Sequence, residues 1–509
     1  MKVPFSWLKE FVDIDVTAQE LEEKLFSCGF EVEELIPLDA GISKVVVGKI
    51  VEMEKQEGTH LTKCVVDCGD YGHDIRISTG AANMKLGDCV PAALDGSTLP
   101  GGIKIKARKM QGVESNGMLC SGEELGLNDD LFPGSEVYGL LILPEDSVPG
   151  TDIAPVVGLD DYIFDISITA NRPDCQSVLG IAREVAAVLG KPLHMPVMDY
   201  KAVCEPDAPV TVKVEAPDLC PRYMAHYVRN IRMGESPRWM KRHLALCGLR
   251  SISNVVDITN HTLLEMGQPM HAFDYRYVKG GKIIVRLAEE GEELTTLDGQ
   301  VRKLTANHLV IADEHRAVGL AGIMGGENSE IADDTVDVVF ESANFDGTCI
   351  RKGALALGMR TEASAKFEKG LDPLNTLPAV DRACELVERL GAGEVVDGVI
   401  DILNYVPQPR TIRMDPERVN ALLGTDIPAA DQYRYLERVG IVTEDQSFPN
   451  SPADVIIPSW RRDVEGIADL AEEVARFYGY NNIPTTLMRG QTTLGGYGAA
   501  EILERRVSS

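Results

Sequence analysis

The sequence contains no run of about 18 apolar residues, so it has no stretch long enough to cross a membrane as a helix. Its first residues, MKVPFSWLKEFVDIDV, are too polar for a secretory signal peptide. The 11 cysteines are scattered and never spaced as C-x-x-C, which argues against a zinc site and a disulfide framework. These absences together predict a protein of the reducing cytoplasm.

Positive charge is also scarce, since 50 Lys and Arg stand against 79 Asp and Glu for a net charge of −29. A negative field repels a polyanion, so the chain is not expected to coat nucleic acid indiscriminately, and no DNA partner is expected. Phosphate contacts would need a local basic run, and charge alone favours a solvated face for each of the two basic runs. They are Lys104, Lys106, Arg108 and Lys109, and Arg238, Lys241, Arg242 and His243.

A phosphate-cradling loop is absent as well. The glycine-rich run LAGIMGGENSEI (320–331) lacks the Lys-Ser/Thr ending of a P-loop. No other ATP-binding signature occurs, so amino-acid or nucleotide activation by this chain alone is not expected.

What is present is enough sequence for several domains, with 509 residues of which 44% are apolar and 25% charged. Thr17-x-x-Glu20 is a capping box ahead of a first helix. Five short β-rich runs between residues 45 and 112 favour a small Greek-key barrel of the OB type. A helical unit at 151–200 ends at Gly190 and leads into a proline-rich linker.

The stretch SISNVVDITNHTLLEMGQPMHAFD (251–274) sets two polar residues, Asn260 and His271, among apolar neighbours. The run 255–258 predicts a strand, followed by a helical turn that ends at Gly267. This arrangement allows both polar side chains to face one cavity, although a lone histidine is more often buried and satisfied by backbone. Farther on, Glu341 interrupts the apolar strand VVFESANFD, either as a structural partner or as a ligand-binding carboxylate.

Residues 401–484 predict helices, a strand and a last helix with a strongly acidic side. From spacing alone, that side is explained by solvation, with a Glu472–Arg476 pair at i,i+4. Its acidic residues are Asp463, Asp469, Glu472 and Glu473.

Several of these segments resemble one family in the same order. The run 105–127 resembles the tRNA-binding OB module of several aminoacyl-tRNA synthetases, and GIMGG, ESANF and RTEASAKFEKGLDP resemble an editing domain. With MKVPFSWLKEFVDID and NRPDC, they identify the chain as a member of the bacterial phenylalanyl-tRNA synthetase beta-subunit family. The family implies a multidomain α+β chain with an N-terminal α/β unit, an OB-fold tRNA-binding domain, a B3/B4 editing domain, a winged-helix-like B5 domain and the start of a synthetase-like domain. The expected bounds are 1–40 with 151–200, 41–150, 205–400, 401–484 and 485–509.

The resemblance also implies the site. A pocket that recognises phenylalanine rejects tyrosine poorly, whereas a second site can select tyrosine through a buried acceptor for its hydroxyl. The family assigns that acceptor role to Glu341, and His271 is expected to be a positioning group, with no catalytic base assigned. The editing pocket implied is Asn260, His271, Gly325, Glu341, Thr361 and Ala363. The magnesium ligands implied are Asp463, Asp469, Glu472 and Glu473, and the residues expected to bind tRNA are Lys104, Lys106, Arg108 and Lys109.

The implied partners are an alpha subunit, in an α2β2 heterotetramer, and tRNA. The implied activity is ATP-dependent attachment of phenylalanine to tRNA, with ATP bound by the alpha subunit, Mg²⁺ shared with it, and hydrolytic editing of tyrosyl-tRNA here. The chain is expected to be C-terminally truncated, because the family continues through a synthetase-like and an anticodon-binding domain. Two alternatives remain open: a stand-alone editing hydrolase that binds tRNA, and an assembly scaffold.

Overall fold

A computed structural model describes the chain except for residues 111, 205–208, 406, 446, 448, 488, 489 and 491–494. The expected boundary at residue 205, Gln111 of the 105–127 motif and part of the segment 485–509 lie outside the described residues. Within the described part, no helix combines the length and the hydropathy that a membrane crossing requires.

The first unit is assembled from two separate stretches of sequence. Its first elements are β1 (Lys2–Pro4), α1 (Phe5–Phe11), α2 (Ala18–Ser27) and β2 (Glu31–Pro37). The predicted capping box is confirmed, because Thr17 accepts the Glu20 backbone N–H while the Glu20 carboxylate accepts that of Thr17.

A small barrel follows. Its strands are β3 (Ser43–Lys55), β4 (Thr62–Asp67), β5 (Ile75–Thr79), β6 (Cys89–Leu99), β7 (Ile103–Lys104), β8 (Arg108–Met110), β9 (Val113–Ser115) and β10 (Gly117–Leu119). The order β10-β6-β3-β4-β5 is closed by a hydrogen bond from Asn116 N to Arg76 O (2.8 Å). Four predicted strands are confirmed, whereas the fifth run is divided into β7 and β8, with the buried Ile105 between them.

The chain then returns to the first unit through α3 (Ile153–Val157), β11 (Tyr162–Ser167) and α4 (Val178–Leu189). Strand β11 lies between β1 and β2 and is antiparallel to both, so the two stretches share one sheet. Helix α4 ends as predicted at Gly190, which has φ 64°.

The central region contains most of the remaining elements. Its strands are β12 (Thr211–Val214), β13 (Arg222–Arg229), β14 (Met270–Asp274), β15 (Lys282–Leu287), β16 (Glu293–Thr295), β17 (Val301–Lys303), β18 (Leu309–Ala312), β19 (Ala317–Leu320), β20 (Met324–Gly325), β21 (Val338–Asn344), β22 (Glu394–Val395) and β23 (Ile400–Leu403). Its helices are α5 (Arg238–Leu246), α6 (Asn254–Met266), α7 (Gly347–Ala356), α8 (Glu362–Phe367) and α9 (Thr376–Leu390).

Two sheets organise this region. One has the order β12-β15-β18-β19-β20, and the other has the order β14-β21-β13-β22 with β23 also paired to β13. One core fills the space between the sheets, and a second core lies behind the second sheet, where α6 and α9 meet the helices of the first unit. The strand predicted at 255–258 is wrong: α6 includes it, because Val255 and Ile258 recur at helical spacing and both face the second core.

The last compact unit carries β24 (Arg410–Met414), α10 (Pro416–Leu423), α11 (Ala429–Glu437), β25 (Val442–Thr443), β26 (Ala453–Ile457) and α12 (Ile467–Tyr478). Its sheet has the order β24-β26-β25, and the three helices pack on it through a core of their own. Helix α13 (Ala499–Ser508) follows, and every residue in it is exposed.

Candidate functional site

The strand β21 carries a carboxylate into the core between the two central sheets. Val338 and Phe340 face the helices behind the sheet, whereas Val339 and Ala343 face the space between the sheets. Because side chains alternate along a strand, Glu341 shares the second face. Its side chain is buried, with 8% exposure.

Two neighbouring strands bring polar side chains to Glu341. His271 on β14 is directly opposite Glu341 in the antiparallel register, so both side chains lie on the same face. From β13, the Tyr223 hydroxyl donates a hydrogen bond of 2.5 Å to Glu341 Oε2. We call Tyr223, His271, Gly325 and Glu341 the Glu341 cluster.

The electrostatics of the cluster follow from its burial. Burial raises the pKa of Glu341 to about 7, although the hydrogen bond from Tyr223 opposes this shift. Burial and the neighbouring carboxylate raise the pKa of Tyr223 well above its ordinary value. The carboxyl group therefore changes charge near neutral pH, which is typical of groups that bind ligands or transfer protons.

His271 lies against glycine and an aromatic ring. A Cβ at Gly325 would come within 2.4 Å of His271 Cε1, so the close approach requires glycine there. The imidazole contacts Phe273 edge to face at a centroid distance of 4.5 Å. Its Nε2 is buried and has no hydrogen-bond partner among the described residues, so the backbone does not satisfy this atom.

Thr361 and Ala363 come from the start of α8, next to the glycine-rich turn. Thr361 caps the helix by accepting the Ser364 backbone N–H, and its hydroxyl donates to Ile323 O at 2.8 Å. Since Ile323 precedes Gly325 by two residues, Thr361 ties α8 to the strand that contacts His271. Ala363 is partly exposed in the first turn.

Asn260 has a different location. It lies in the middle of α6, and this helix packs its apolar side chains against the opposite face of the β14–β21 sheet. No hydrogen bond to its side chain is found among the described residues. The structure brings His271, Gly325 and Glu341 together, with Thr361 nearby, but does not add Asn260 to them; its role stays a prediction.

Sequence reasoning missed Tyr223. The alternation in RYMAHYVR (222–229) separates Tyr223, Ala225 and Tyr227 from the residues that face the helices, and this signal was available. Its partner Glu341 is 118 residues farther along the chain, so this contact could be predicted only from the order of the strands in the sheet.

In the last unit, arginines hold two of the four predicted metal ligands. Arg461 donates to both oxygens of Asp463 at 2.9 Å and to Glu473 Oε1 at 2.6 Å, and Arg476 donates to Glu473 Oε2 at 2.6 Å. Burial opposes ionisation of both carboxyl groups, but the arginines outweigh it and hold each pKa below its ordinary value.

All four predicted ligands line one cavity, but the other two are bonded differently from this pair. Asp469 Oδ2 accepts the backbone N–H groups of Glu465 and Gly466 at 2.8 Å, and Glu472 is exposed. Within the described residues, one group of metal-ligating atoms lies within 4.8 Å of one another, and it consists of Asp174, Cys175 and Glu184. Two of the four carboxyl groups in the cavity bond arginines, and the assignment of all four as magnesium ligands stays a prediction.

The alternative explanation, a solvated face with a Glu472–Arg476 pair, is wrong. Arg476 is buried and bonds Glu473 and, from α4 of the first unit, Glu184. The N-cap of this helix is Gly466, whose backbone N–H donates to Asp469 Oδ2.

The two basic runs differ in exposure. Lys104, Lys106, Arg108 and Lys109 are all exposed at one edge of the barrel. In the other run, Arg242 bonds Gly158 O and lies 3.7 Å from Asp161, and His243 stacks on Trp7. Two of the four residues in that second run therefore contact the first unit and do not form a phosphate-binding face.

Burial predicts an unusual acid response of His271, whose pKa is lowered to about 4. The folded pKa is below the unfolded value of about 6.5, so His271 contributes stability that is present above that pH and lost as the pH falls through 4. Histidine-selective NMR should find a neutral imidazole at pH 5.5. The exposed His315 supplies a control, since His315→Gln should leave the His271 resonances unchanged. A His271 midpoint near 6.5 would contradict the buried environment.

Known protein families match three parts of the chain. A model described as "Putative tRNA binding domain" matches residues 45–152, "B3/4 domain" matches 219–392, and "tRNA synthetase B5 domain" matches 412–480. The Glu341 cluster lies within the second match.

Curated relatives match almost the whole chain. The phenylalanine–tRNA ligase beta subunit of Clostridium acetobutylicum is 45% identical over 498 residues, which are 97% of this chain and 62% of that protein. The one from Clostridium tetani is 45% identical over 100% of this chain and 63% of that protein, and the one from Geobacillus kaustophilus is 41% identical over the same shares. The chain therefore spans less than two thirds of the length of these relatives.

Among solved structures, an N-terminal fragment of the phenylalanyl-tRNA synthetase beta subunit from Pyrococcus horikoshii matches with a TM-score of 0.36 and 17% identity. The match covers 63% of this chain and 88% of the fragment.

Proposed function

Since the chain belongs to the family of phenylalanine–tRNA ligase beta subunits along the stretch that it shares with them, we propose that it binds tRNA and edits mischarged tyrosyl-tRNA within such a ligase. The reaction is hydrolysis of the ester between tyrosine and tRNA. Ligation of phenylalanine to tRNA, driven by ATP, takes place together with an alpha subunit.

The observation that carries the proposal is a buried carboxyl group whose one oxygen lacks a hydrogen-bond partner. Glu341 Oε2 is bonded to Tyr223, whereas no hydrogen bond reaches Oε1 in the described part of the chain. Oε1 is also not among the enclosed polar atoms that lack a partner, so it is the part of the carboxyl group that stays accessible. A phenol hydroxyl satisfies this acceptor and a plain phenyl ring leaves it unpaired, which is the discrimination that editing requires.

The neighbours of Glu341 suit ester hydrolysis without a strong protein base. The lowered pKa of His271 keeps the imidazole neutral, so it helps to position the ligand beside Glu341 without adding a charge. Gly325 leaves room for the His271 ring, and Thr361 fixes the turn that carries Gly325. Positioning of the ester and of a water supplies the rate enhancement.

The remaining parts of the proposal concern partners. The exposed residues Lys104, Lys106, Arg108 and Lys109 form the proposed tRNA contact of the barrel. The alpha subunit binds ATP and forms the α2β2 assembly. A magnesium ion shared with that subunit would be held by the carboxyl groups of Asp463, Asp469, Glu472 and Glu473, which line one cavity, and no step of the editing reaction depends on it.

The test measures amino-acid release. The chain is mixed with tyrosyl-tRNA and, separately, with phenylalanyl-tRNA, with and without an added alpha subunit, and the freed amino acid is counted. Selective release of tyrosine is the expected result, and release that needs the alpha subunit assigns editing to the assembled ligase.

Release of neither amino acid under either condition would contradict the proposal and leave a scaffold function. Equal release of both would remove the selective role of Glu341. Tyrosine release without the alpha subunit is the outcome that favours a hydrolase able to act alone.

A further inference from the structure

The acceptor carboxyl group of the Glu341 cluster already holds a phenol. Tyr223 is fully buried, with 0% exposure, and its hydroxyl donates to Glu341 Oε2 at 2.5 Å. The two oxygens of Glu341 are therefore not equivalent, since one is occupied by the protein and the other is not.

The sheet fixes this contact. In the register of β13 and β21, Tyr223 is opposite Ala343 and Ala225 is opposite Glu341. Tyr223 and Glu341 are thus diagonal neighbours on one face, at a spacing that long side chains can bridge. The tyrosine ring lies in the core between the two sheets with Phe273 and Val339, so it has no room to turn away.

We propose that Tyr223 is a positioning residue that fixes Glu341 and leaves Oε1 as its single free acceptor, and that it thereby sets the preference for a phenol over a phenyl ring. The inference rests on the proposed editing function. A free carboxylate can accept about four hydrogen bonds in several orientations. Held by Tyr223, it offers one acceptor in one direction, and a ligand without a hydroxyl leaves that acceptor unpaired.

Tyr223 also keeps the carboxyl group in its accepting form. A hydrogen bond to the ionised carboxylate favours it, while burial favours the protonated acid. The titratable groups that face Glu341 are Tyr223 from β13, His271 from β14 and, at longer range, Cys220. Removal of the Tyr223 hydroxyl should therefore raise the pKa of Glu341 and protonate the acceptor at neutral pH.

The test variant is Tyr223→Phe, which keeps the ring and removes the hydroxyl. In the full chain, with the alpha subunit if release requires it, kcat/KM is measured for tyrosine release and for phenylalanine release between pH 6 and 9. We expect the ratio of the two values to fall about tenfold at pH 7, as for loss of one hydrogen bond to a charged group. The midpoint of the tyrosine profile should move to higher pH, a change that a merely structural role would not produce.

The matched control is Tyr227→Phe on the same strand and face, whose ring packs on Tyr275 and not on Glu341. It should retain the wild-type ratio and pH profile. If Tyr223→Phe does not fold, Tyr223→Leu supplies a second side chain without a hydroxyl, and the thermal midpoint identifies which variants are folded.

The outcomes separate this inference from the function on which it rests. If the wild type is selective and Glu341→Ala loses that selectivity while Tyr223→Phe keeps the wild-type ratio and profile, the role of Tyr223 is overturned and editing stands. A higher ratio in Tyr223→Phe overturns it too, since the hydroxyl would then compete with the ligand. If the wild type releases no tyrosine selectively, the proposed function fails and this inference fails with it.

Discussion

Replacement of Glu341 by alanine is expected to lower the selectivity for tyrosine release by about a hundredfold while the chain stays folded. The carboxylate is the buried acceptor with a free oxygen in the cluster, and hydrogen bonds to charged groups contribute about 1.5–3 kcal/mol. The measurement is the ratio of kcat/KM for tyrosine and phenylalanine release in the wild type and the variant.

The fold should tolerate the loss because the buried carboxyl group costs stability when ionised. Burial raises its pKa from 4.5 to about 7, so its contribution is most favourable below pH 4.5 and is lost as the pH rises through 7. At 1.36 kcal/mol for each pKa unit, ionisation of Glu341 lowers the free energy of unfolding by roughly 3 kcal/mol. The isosteric variant Glu341→Gln should therefore be more stable than the wild type at pH 8 and equally lacking in selectivity.

The control is Glu293→Ala, an exposed glutamate on β16 outside the cluster, which should keep both selectivity and stability. Wild-type selectivity in Glu341→Ala would remove Glu341 from the site. If Glu341→Ala unfolds while Glu341→Gln is folded and selective, the side chain at position 341 stabilises the fold and its charge is not needed for selectivity.

Local patterns in the sequence predicted much of the fold. The Thr17 capping box, the end of α4 at Gly190 and the strand VVFESANFD each depend on a few adjacent residues, and all are present. The run 255–258 failed because a short apolar segment fits a strand and a buried helix equally well. Val255 and Ile258 are at helical spacing, but the packing against the first unit that favours the helix cannot be seen in the local sequence.

The site was predicted through motifs rather than geometry. Glu341, His271 and Gly325 meet because β14 and β21 pair and β20 approaches from the other sheet. The hydrogen bond from Tyr223 was missed since it joins strands 118 residues apart. The Glu472–Arg476 pair was predicted wrongly for the same reason, because Glu184, which Arg476 bonds instead, is 292 residues earlier in the chain.

A chain of alternating charges joins the first unit to the last one. We call it the arginine network, and its members are Asp174, Arg172, Glu184, Arg476, Glu473, Arg461 and Asp463. The side chains of all seven are at most 14% exposed. Glu184 occupies the middle, where it accepts from Arg172 at 2.5 Å and from Arg476 at 2.6 Å.

Removal of one partner from this network should be costly. Arg476→Met leaves Glu184 and Glu473 with one arginine each, in a site that excludes water, and we expect a loss of about 3–5 kcal/mol in the free energy of unfolding. Glu184→Leu should cost a similar amount. The double variant should lose less than the sum, because it replaces a buried ion pair by apolar side chains. Urea denaturation of the wild type, the two single variants and the double variant at pH 7 measures this double-mutant cycle.

The neighbouring Glu472 is exposed on the same helix, so Glu472→Ala should change stability by no more than about 0.5 kcal/mol. Acid provides an independent check. Burial opposes ionisation of Glu184, but the charges of Arg476 and Arg172 outweigh it and lower its pKa below 4.5. The network therefore contributes stability that is present above pH 4.5 and lost as the pH falls, and Glu184→Leu should weaken that acid dependence. If the losses in the free energy of unfolding are additive and its pH dependence is unchanged, these charges do not stabilise the contact between the two units.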